Sequence, residues 1–173
     1  SGRSGGADED SSGGFAHGGW HMRYMEDEVA RKWVLGSIVE AGGFLLGRRT
    51  YEIALSFCAY PYPDRTGFVF SRERAGTIDE NVTFLAEDVQ EFVRSLRLRP
   101  GRDVWLVGGG ELARAFFEKN LIDELQLFVH PILLGAGLPL FLPRPGDLRL
   151  RLLRCRSWPN GLLELHYERE GLA

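Results

Sequence analysis

The sequence feature that most constrains the fold is a short apolar segment followed by three consecutive glycines. Residues 104–107 are Val-Trp-Leu-Val, residues 108–110 are glycine, and Glu111 follows them. The apolar run predicts a buried strand, and the apolar spacing after the glycines predicts a helix. A strand, a glycine turn and a helix N-terminus expose backbone N–H groups to an anion that no Cβ atom obstructs. The segment therefore indicates an α/β fold, with either a phosphate-binding turn at residues 108–110 or a tight turn without a ligand.

The glycine turn also matches a known fingerprint in part. Gly108, Gly110 and Ala113 satisfy the G-x-G-x-x-A pattern of Rossmann domains. That pattern comes with an acidic residue at the end of the next strand, which binds the ribose. Here the next predicted strand, residues 125–129, is followed by His-Pro at 130–131. The pattern also belongs to the first strand–helix unit of a domain, whereas this one comes late, so we expect a different α/β fold.

Strand and helix patterns alternate along the rest of the chain, which predicts a mainly parallel sheet flanked by helices. Apolar runs that predict strands occur at residues 44–46, 68–70, 82–85, 104–107 and 125–129. Helical spacing occurs at residues 25–41, from Thr50 to Leu55, at residues 88–96 and after Gly110.

The tail of the chain predicts an antiparallel hairpin that adds edge strands. Residues 148–156 alternate leucine and arginine, a Pro-Asn-Gly turn follows at 159–161, and apolar residues recur between 163 and 167. The alternating arginines predict the solvated face of a strand or, alternatively, a binding patch for anions.

The length of 173 residues suffices for one domain with a core. Residues 1–19 are rich in glycine and serine and carry acids at 8–10, so we expect a flexible arm or loop there. We expect a single domain over residues 20–173.

Composition gives no support to several classes of function. The net charge of −3 and the pI near 5.8 give no reason to expect nucleic acid as a partner. No apolar run is long enough to cross a membrane. Cys58 and Cys155 form neither a disulfide framework nor a C-x-x-C metal pair, and His17 and His21 lack a third ligand. We therefore expect a cytoplasmic protein without a bound metal.

Two further segments place polar side chains where a predicted strand ends. At residues 47–50, Gly-Arg-Arg-Thr offers arginine donors to a phosphate, or it is an exposed helix start with solvated arginines. At residues 70–72, Phe-Ser-Arg offers a hydroxyl and a guanidinium to a ribose phosphate, or it is a plain turn. Helix N-termini at neighbouring strand ends can share one dinucleotide, which favours binding at both segments.

Taken in order, these segments resemble the dihydrofolate-reductase superfamily. The closer likeness is to the reductase domain of the bifunctional riboflavin-biosynthesis deaminase-reductase and to its stand-alone relatives. It runs from about residue 15 to residue 167 and is carried by residues 45–52 (LLGRRTYE), 69–72 (VFSR), 106–110 (LVGGG), 123–125 (DEL) and 130–141 (HPILLGAGLPLF). The resemblance implies an α/β fold of the dihydrofolate-reductase type, with a mixed, mainly parallel sheet and a C-terminal antiparallel hairpin.

The resemblance also implies NADPH as the cofactor and gives the residues that would bind it. Arg48, Ser71 and Arg72 would face the 2′-phosphate and the adenosine ribose, and the backbone at residues 49–50 and 108–110 would face the pyrophosphate. A cis peptide between Gly108 and Gly109 is a further implication. The implied cofactor-binding residues are Gly47, Arg48, Arg49, Thr50, Ser71, Arg72, Val107, Gly108, Gly109, Gly110 and Glu111.

The chain differs from these relatives in its N-terminal segment. Relatives open with an apolar strand that ends in a Ser-x-Asp-Gly type motif, and residues 1–14 contain no such strand. We expect residues upstream of Ser1, or a second chain, to fill that central place in the sheet. No residue matches the family's catalytic acid; Glu26, Asp27 and Glu28 suit the first turn of a helix without any catalytic role.

The expected function is that of an NADPH-dependent oxidoreductase of the riboflavin-biosynthesis type. Its substrate would be a small pterin-like or ribosylamino-pyrimidine-like compound, and a homodimer is compatible with the resemblance. The alternative is a nucleotide-binding module of the same fold without turnover. It is supported because the motifs implied for cofactor binding match the family more fully than the segments implied for substrate binding do. Oxidation of NADPH by one of these compounds distinguishes the two.

Overall fold

The chain is described by a computed structural model over residues 20, 28, 32, 36, 39–57, 62, 64–79, 81–107, 110–137, 139–141, 143 and 146–171. It divides into two compact units, Gly36–Leu121 and Ser1–Leu35 with Ile122–Ala173. Each unit has its own sheet. The arm expected at residues 1–19 lies outside the described part, and the single domain expected over residues 20–173 stays a prediction.

The unit Gly36–Leu121 contains a five-stranded sheet in the order β3-β4-β2-β1-β5. All neighbouring strands pair in parallel except β3, which is antiparallel to β4. Its strands are β1 (Gly43–Gly47), β2 (Thr66–Phe70), β3 (Ile78–Asp79), β4 (Val82–Leu85) and β5 (Val104–Val107). Its helices are α1 (Arg48–Phe57), α2 (Val89–Arg97) and α3 (Gly110–Glu118). The predicted mainly parallel α/β architecture is confirmed.

Helices cover both faces of this sheet. On one face the α1 residue Tyr51 packs against Phe84 of β4, with ring centroids 5.5 Å apart. On the other face Phe70 of β2 contacts Phe92 of α2 at 5.5 Å and Phe116 of α3 at 6.1 Å. Because β1 lies between β2 and β5, with helices on both faces of the sheet, Phe44, Leu45 and Leu46 are all buried, which explains the continuous apolar run.

The strand at residues 104–107 was expected to be buried, and that expectation is wrong. All four residues of β5 are half-buried. The physical reason is the position of β5 in the sheet, because it pairs with β1 alone in the part of the chain that the structure describes.

Helix boundaries differ slightly from the sequence pattern. Helix α1 begins at Arg48, directly after β1, rather than at Thr50. Helix α2 has the expected N-cap, since the Asp88 carboxylate accepts a hydrogen bond of 2.8 Å from the Gln90 backbone N–H. The expected helix at residues 25–41 is supported at each position described within it before Ala41, namely Glu28, Lys32, Gly36, Val39 and Glu40. Across the described residues, the structure contains no helix with the length and apolar character needed to span a membrane.

The second unit contains a three-stranded antiparallel sheet in the order β6-β8-β7. Its strands are β6 (Glu124–Val129), β7 (Leu150–Ser157) and β8 (Leu163–Arg169). The predicted hairpin is confirmed as β7–β8, and it pairs with β6 rather than with the five-stranded sheet. Gly161 in its turn has a φ of +84°, and a Cβ there would lie 3.0 Å from Pro131 Cγ, so glycine is required on both counts.

One face of this sheet carries alternating charges. Arg154 of β7 donates to Glu164 of β8 at 2.8 Å, and Gln126 of β6 donates to the same carboxylate oxygen at 2.7 Å. Arg151 donates through Nε to Glu168 at 2.7 Å. The arginines of β7 are exposed as expected, but so are Leu152 and Leu153, and two of the arginines pair with acids of β8.

β5 and β6 are edge strands of their respective sheets among the residues that can be described. The expected first strand of the sheet stays a prediction.

Candidate functional site

The carboxyl ends of three parallel strands lie side by side at one edge of the five-stranded sheet. Gly47 at the end of β1 is in register with Phe70 at the end of β2. Leu46 of β1 is in register with Val107 at the end of β5. The segments that follow these strands therefore leave the sheet at the same edge, and they hold the predicted cofactor residues at positions 47–50, 71–72 and 107–111.

The side of β1 on which successive strands are added to the sheet changes after β4. After β1 the chain passes to β2 and β4 on one side, and it then returns to β5 on the other side of β1. Connections that depart to opposite sides open a crevice at the carboxyl ends of the strands, where ligands of α/β sheets bind. This strand order predicts the crevice between the carboxyl ends of β1 and β5.

The segment after β1 concentrates positive charge at a helix N-terminus. Arg48 and Arg49 are the first two residues of α1, and its first turn contains no acidic residue. Thr50 lies inside that turn and is half-buried, so it does not form the helix cap. Cations are unfavourable at the positive end of a helix dipole, whereas an anion is stabilised there. The arrangement is suited to an anionic ligand.

Arg48 is paired with an acid that the sequence analysis missed. Its Nη1 lies 2.6 Å from Glu73 Oε2, with the two side chains 44% and 71% exposed. Glu73 follows β2 by three residues, so it emerges at the same edge as Arg48. The sequence did contain a signal for this ion pair: an acid follows one strand end closely, and an arginine follows the neighbouring strand end.

The segment after β2 is ordered by Ser71. The side chain of Ser71 is buried, its backbone N–H donates to Leu85 O at 2.7 Å, and its Oγ accepts from Arg74 N–H at 3.3 Å. Arg72 is exposed and has no ion-pair partner among the described residues. Ser71 thus shapes the turn, while Arg72 presents a guanidinium at the strand end.

The segment after β5 is described in part. Val107 is half-buried, while Gly110 and Glu111 are exposed in the first turn of α3. Gly108 and Gly109 lie outside the described residues, so the cis peptide expected between them stays a prediction.

Two glycines of the site are not explained by the protein itself. Among the described residues, and leaving aside chain neighbours and the backbone of α3, a Cβ at Gly110 would meet no atom within 4 Å, and one at Gly47 would meet only Leu112 Cβ at 4.0 Å. Neither glycine has a positive φ. Backbone conformation and packing would therefore accept a side chain at both positions, whereas a ligand close to the backbone would not.

The remaining sequence candidates do not join this site. Glu28 forms an exposed i,i+4 ion pair with Lys32 at 2.7 Å, which supports a solvated helix surface rather than a catalytic acid. Glu26, Asp27, His17 and His21 lie outside the described residues. Within the described ranges no group of three His, Cys, Asp or Glu side chains could hold a metal ion.

Comparisons with known proteins identify relatives of most of the chain. YwjB of Bacillus subtilis (strain 168), an uncharacterized protein, is 36% identical over 126 residues that make up 72% of each chain. The riboflavin biosynthesis protein RibD of Corynebacterium ammoniagenes is 28% identical over 130 residues, which are 67% of this chain and 39% of RibD. The chain thus spans well under half the length of that RibD.

A crystal structure from Shewanella sp. PV-4, assigned to riboflavin biosynthesis, superposes with a TM-score of 0.70 at 25% identity. The match covers 79% of this chain and 78% of that chain, so the predicted fold class is confirmed. Residues 12–163 match the family model of the RibD C-terminal domain. The match covers most of the sequence and confirms the resemblance seen in its motifs, and the chain belongs to the RibD C-terminal domain family.

Proposed function

We propose that this chain is an NADPH-dependent reductase that transfers a hydride to a small pterin-like or ribosylamino-pyrimidine-like substrate. The observation that carries the proposal is the register of β1, β2 and β5, which brings three anion-binding segments to one edge of the sheet. That edge is also where the connections diverge, the usual ligand site of an α/β sheet.

Different residues at this edge bind different parts of the cofactor. Arg48 and Arg72 supply guanidinium donors for the 2′-phosphate, which a cofactor with a plain 2′-hydroxyl does not need. The backbone N–H groups at the start of α1 and α3 face the pyrophosphate, where the helix dipoles favour negative charge. NADPH supplies the hydride, and the protein supplies its position and the surrounding field.

The fit between site and cofactor rests on charge and on space. Two arginines open α1 with no acid in the first turn, so an anion bound there removes an unfavourable interaction with the dipole. The room in front of Gly47 and Gly110 lets a pyrophosphate approach the backbone closely. Both features support a ligand that carries negative charge and lies close to the backbone.

The substrate class is supported by the relatives. RibD of Corynebacterium ammoniagenes and the structure from Shewanella sp. PV-4 are both assigned to riboflavin biosynthesis. Their names support a substrate from that chemistry for this chain, which matches the C-terminal domain family and 39% of that RibD.

The experiment follows the near-ultraviolet absorbance of NADPH in the presence of a panel of pterins and ribosylamino-pyrimidines. Oxidation of NADPH by a member of either class supports the proposal. Saturable binding of NADPH without oxidation by any compound favours the nucleotide-binding module. Absence of NADPH binding overturns the proposal.

A matched pair of variants locates the effect. Arg48→Ala should slow NADPH oxidation, whereas Arg99→Ala removes an exposed arginine near the amino-terminal side of β5 and should not. Equal effects of the two substitutions would contradict the assigned role of Arg48.

A further inference from the structure

The Arg48–Glu73 pair joins two neighbouring strand ends at the proposed cofactor site. Arg48 opens α1 after β1, and Glu73 lies in the segment after β2. The contact of 2.6 Å between Nη1 and Oε2 is that of a charge-assisted hydrogen bond. A carboxylate thus already binds the guanidinium that the proposed function gives to a phosphate.

Glu73 is held at this place by the segment around it. The neighbouring Arg74 donates its backbone N–H to Ser71 Oγ at 3.3 Å, and its guanidinium lies 3.9 Å from the centre of the Phe84 ring. The Thr77 hydroxyl donates to Arg74 O at 2.7 Å. These contacts order the turn around Glu73, from which its exposed carboxylate contacts Arg48.

Arg48 and Arg72 differ in their charge environment. Arg72 has no ion-pair partner in the described part of the chain, so it can receive a phosphate directly. At Arg48, the carboxylate of Glu73 already occupies Nη1, so a 2′-phosphate that binds this guanidinium competes with Glu73 for that donor. A ribose without a 2′-phosphate does not enter this competition.

We propose that Glu73 reduces the preference for NADPH over NADH by competing with the 2′-phosphate for Arg48. The inference rests on the proposed function, because it takes this edge of the sheet as the cofactor site. Glu73 opposes NADPH in two ways: it occupies the guanidinium, and its negative charge repels the incoming phosphate. NADH shares the pyrophosphate but has no 2′-phosphate to compete for Arg48, so Glu73 weakens the binding of NADPH more than that of NADH and reduces the preference for NADPH.

The test measures equilibrium dissociation constants of NADPH and NADH for the full chain and for Glu73→Gln. Glutamine keeps the shape and removes the charge. We expect NADPH to bind about three- to tenfold more tightly to the variant, as fits loss of an exposed ion pair and of one repulsion. The NADH constant should stay within about twofold. The ratio of the two constants in one sample does not depend on the fraction of folded protein.

Two further variants make the result specific. Glu40→Gln makes the same change of charge at an exposed residue before the amino end of β1, and it should alter neither constant. In an Arg48→Ala background, Glu73→Gln should improve NADPH binding much less, because the competition for Arg48 is gone.

The outcomes separate this inference from the proposed function. If the unmodified chain binds neither cofactor, both fail. If it binds NADPH but Glu73→Gln leaves the NADPH:NADH ratio unchanged, the inference alone fails. Weaker NADPH binding by Glu73→Gln also overturns it, since Glu73 would then position Arg48 for the phosphate rather than compete with it.

Discussion

Removing Arg154 should destabilise the three-stranded sheet far more than removing Arg151, although both arginines lie on β7 and bind acids of β8. The Glu164 side chain is 0% exposed, and the Arg154 side chain is 45% exposed. In the other pair, Glu168 is 31% exposed and Arg151 is 62% exposed. The two substitutions to alanine differ most in the burial of the carboxylate that each leaves behind, and Glu164 keeps the hydrogen bond from Gln126.

The magnitude follows from that burial. A hydrogen bond to a charged group contributes about 1.5–3 kcal/mol, and breaking a fully buried pair costs about 3–5 kcal/mol. The half-exposed guanidinium is screened by water, so the lower range applies to Arg154→Ala. An exposed pair contributes about 0–1 kcal/mol, which applies to Arg151→Ala. At about 2–4 °C per kcal/mol for a chain of this size, Arg154→Ala should lower the melting temperature by about 3–12 °C.

Thermal unfolding followed by circular dichroism measures both variants. The Glu164→Gln background provides the control, because it removes the charge that Arg154 balances. There Arg154→Ala should cost less than in the unmodified chain, since no buried negative charge is left without its counter-charge. The reasoning would be refuted if Arg151→Ala lowered the melting temperature as much as Arg154→Ala does. It would also be refuted if Arg154→Ala destabilised the Glu164→Gln variant as much as it destabilises the unmodified chain.

Three more predictions concern the five-stranded unit. Arg48→Ala should weaken NADPH by about 1.5–3 kcal/mol and leave NADH nearly unchanged in fluorescence titrations, and equal weakening of both would make Arg48 structural. Gly110→Ala should leave the melting temperature unchanged or raised, because alanine favours a helix. The same substitution should weaken NADPH binding about tenfold, since a Cβ would obstruct the ligand. Unchanged NADPH binding would contradict the proposal that the pyrophosphate lies close to the backbone at Gly110. The Gln90 backbone N–H and Lys119 lower the pKa of Asp88 below 3.8. Asp88→Ala should therefore lower the melting temperature at neutral pH, and the difference should vanish as the pH falls through that lowered pKa; a constant difference down to about pH 2 would contradict this.

The elements that the sequence predicts well are those whose signal is local. In α2 the N-cap at Asp88 and the apolar spacing of Val89, Phe92 and Val93 lie within two turns of chain, and the structure confirms each. The β7–β8 hairpin is similar, because alternation and the turn at Gly161 specify both strands and their connection.

The features that the sequence did not predict depend on pairing between distant segments. Strand β3 has two residues, Ile78–Asp79, which is too short for a period to show, and its pairing with β4 defines it. The half-buried state of β5 follows from its place in the sheet order rather than from its composition. The contact of Glu164 with Arg154 depends on a register shift between Leu152 and Arg154 that no periodicity reveals.

The candidate site shows the same division. The strand ends at Gly47, Phe70 and Val107 were predictable because apolar runs and glycines mark them, and parallel pairing brings them to one edge. The partner of Arg48 was not, because Glu73 lies 25 residues away and meets it through the register of β1 and β2.

The central claim is that NADPH binds at the carboxyl edge of β1, β2 and β5. Amide proton–nitrogen correlation spectra of the full chain, recorded during titration with NADPH, test it most directly. The account predicts saturable shifts concentrated at residues 47–50, 71–73 and 107–111, with little change at residues 41–43 and 102–104 on the opposite edge. Shifts concentrated at that opposite edge, or no saturable shift at all, would contradict the account.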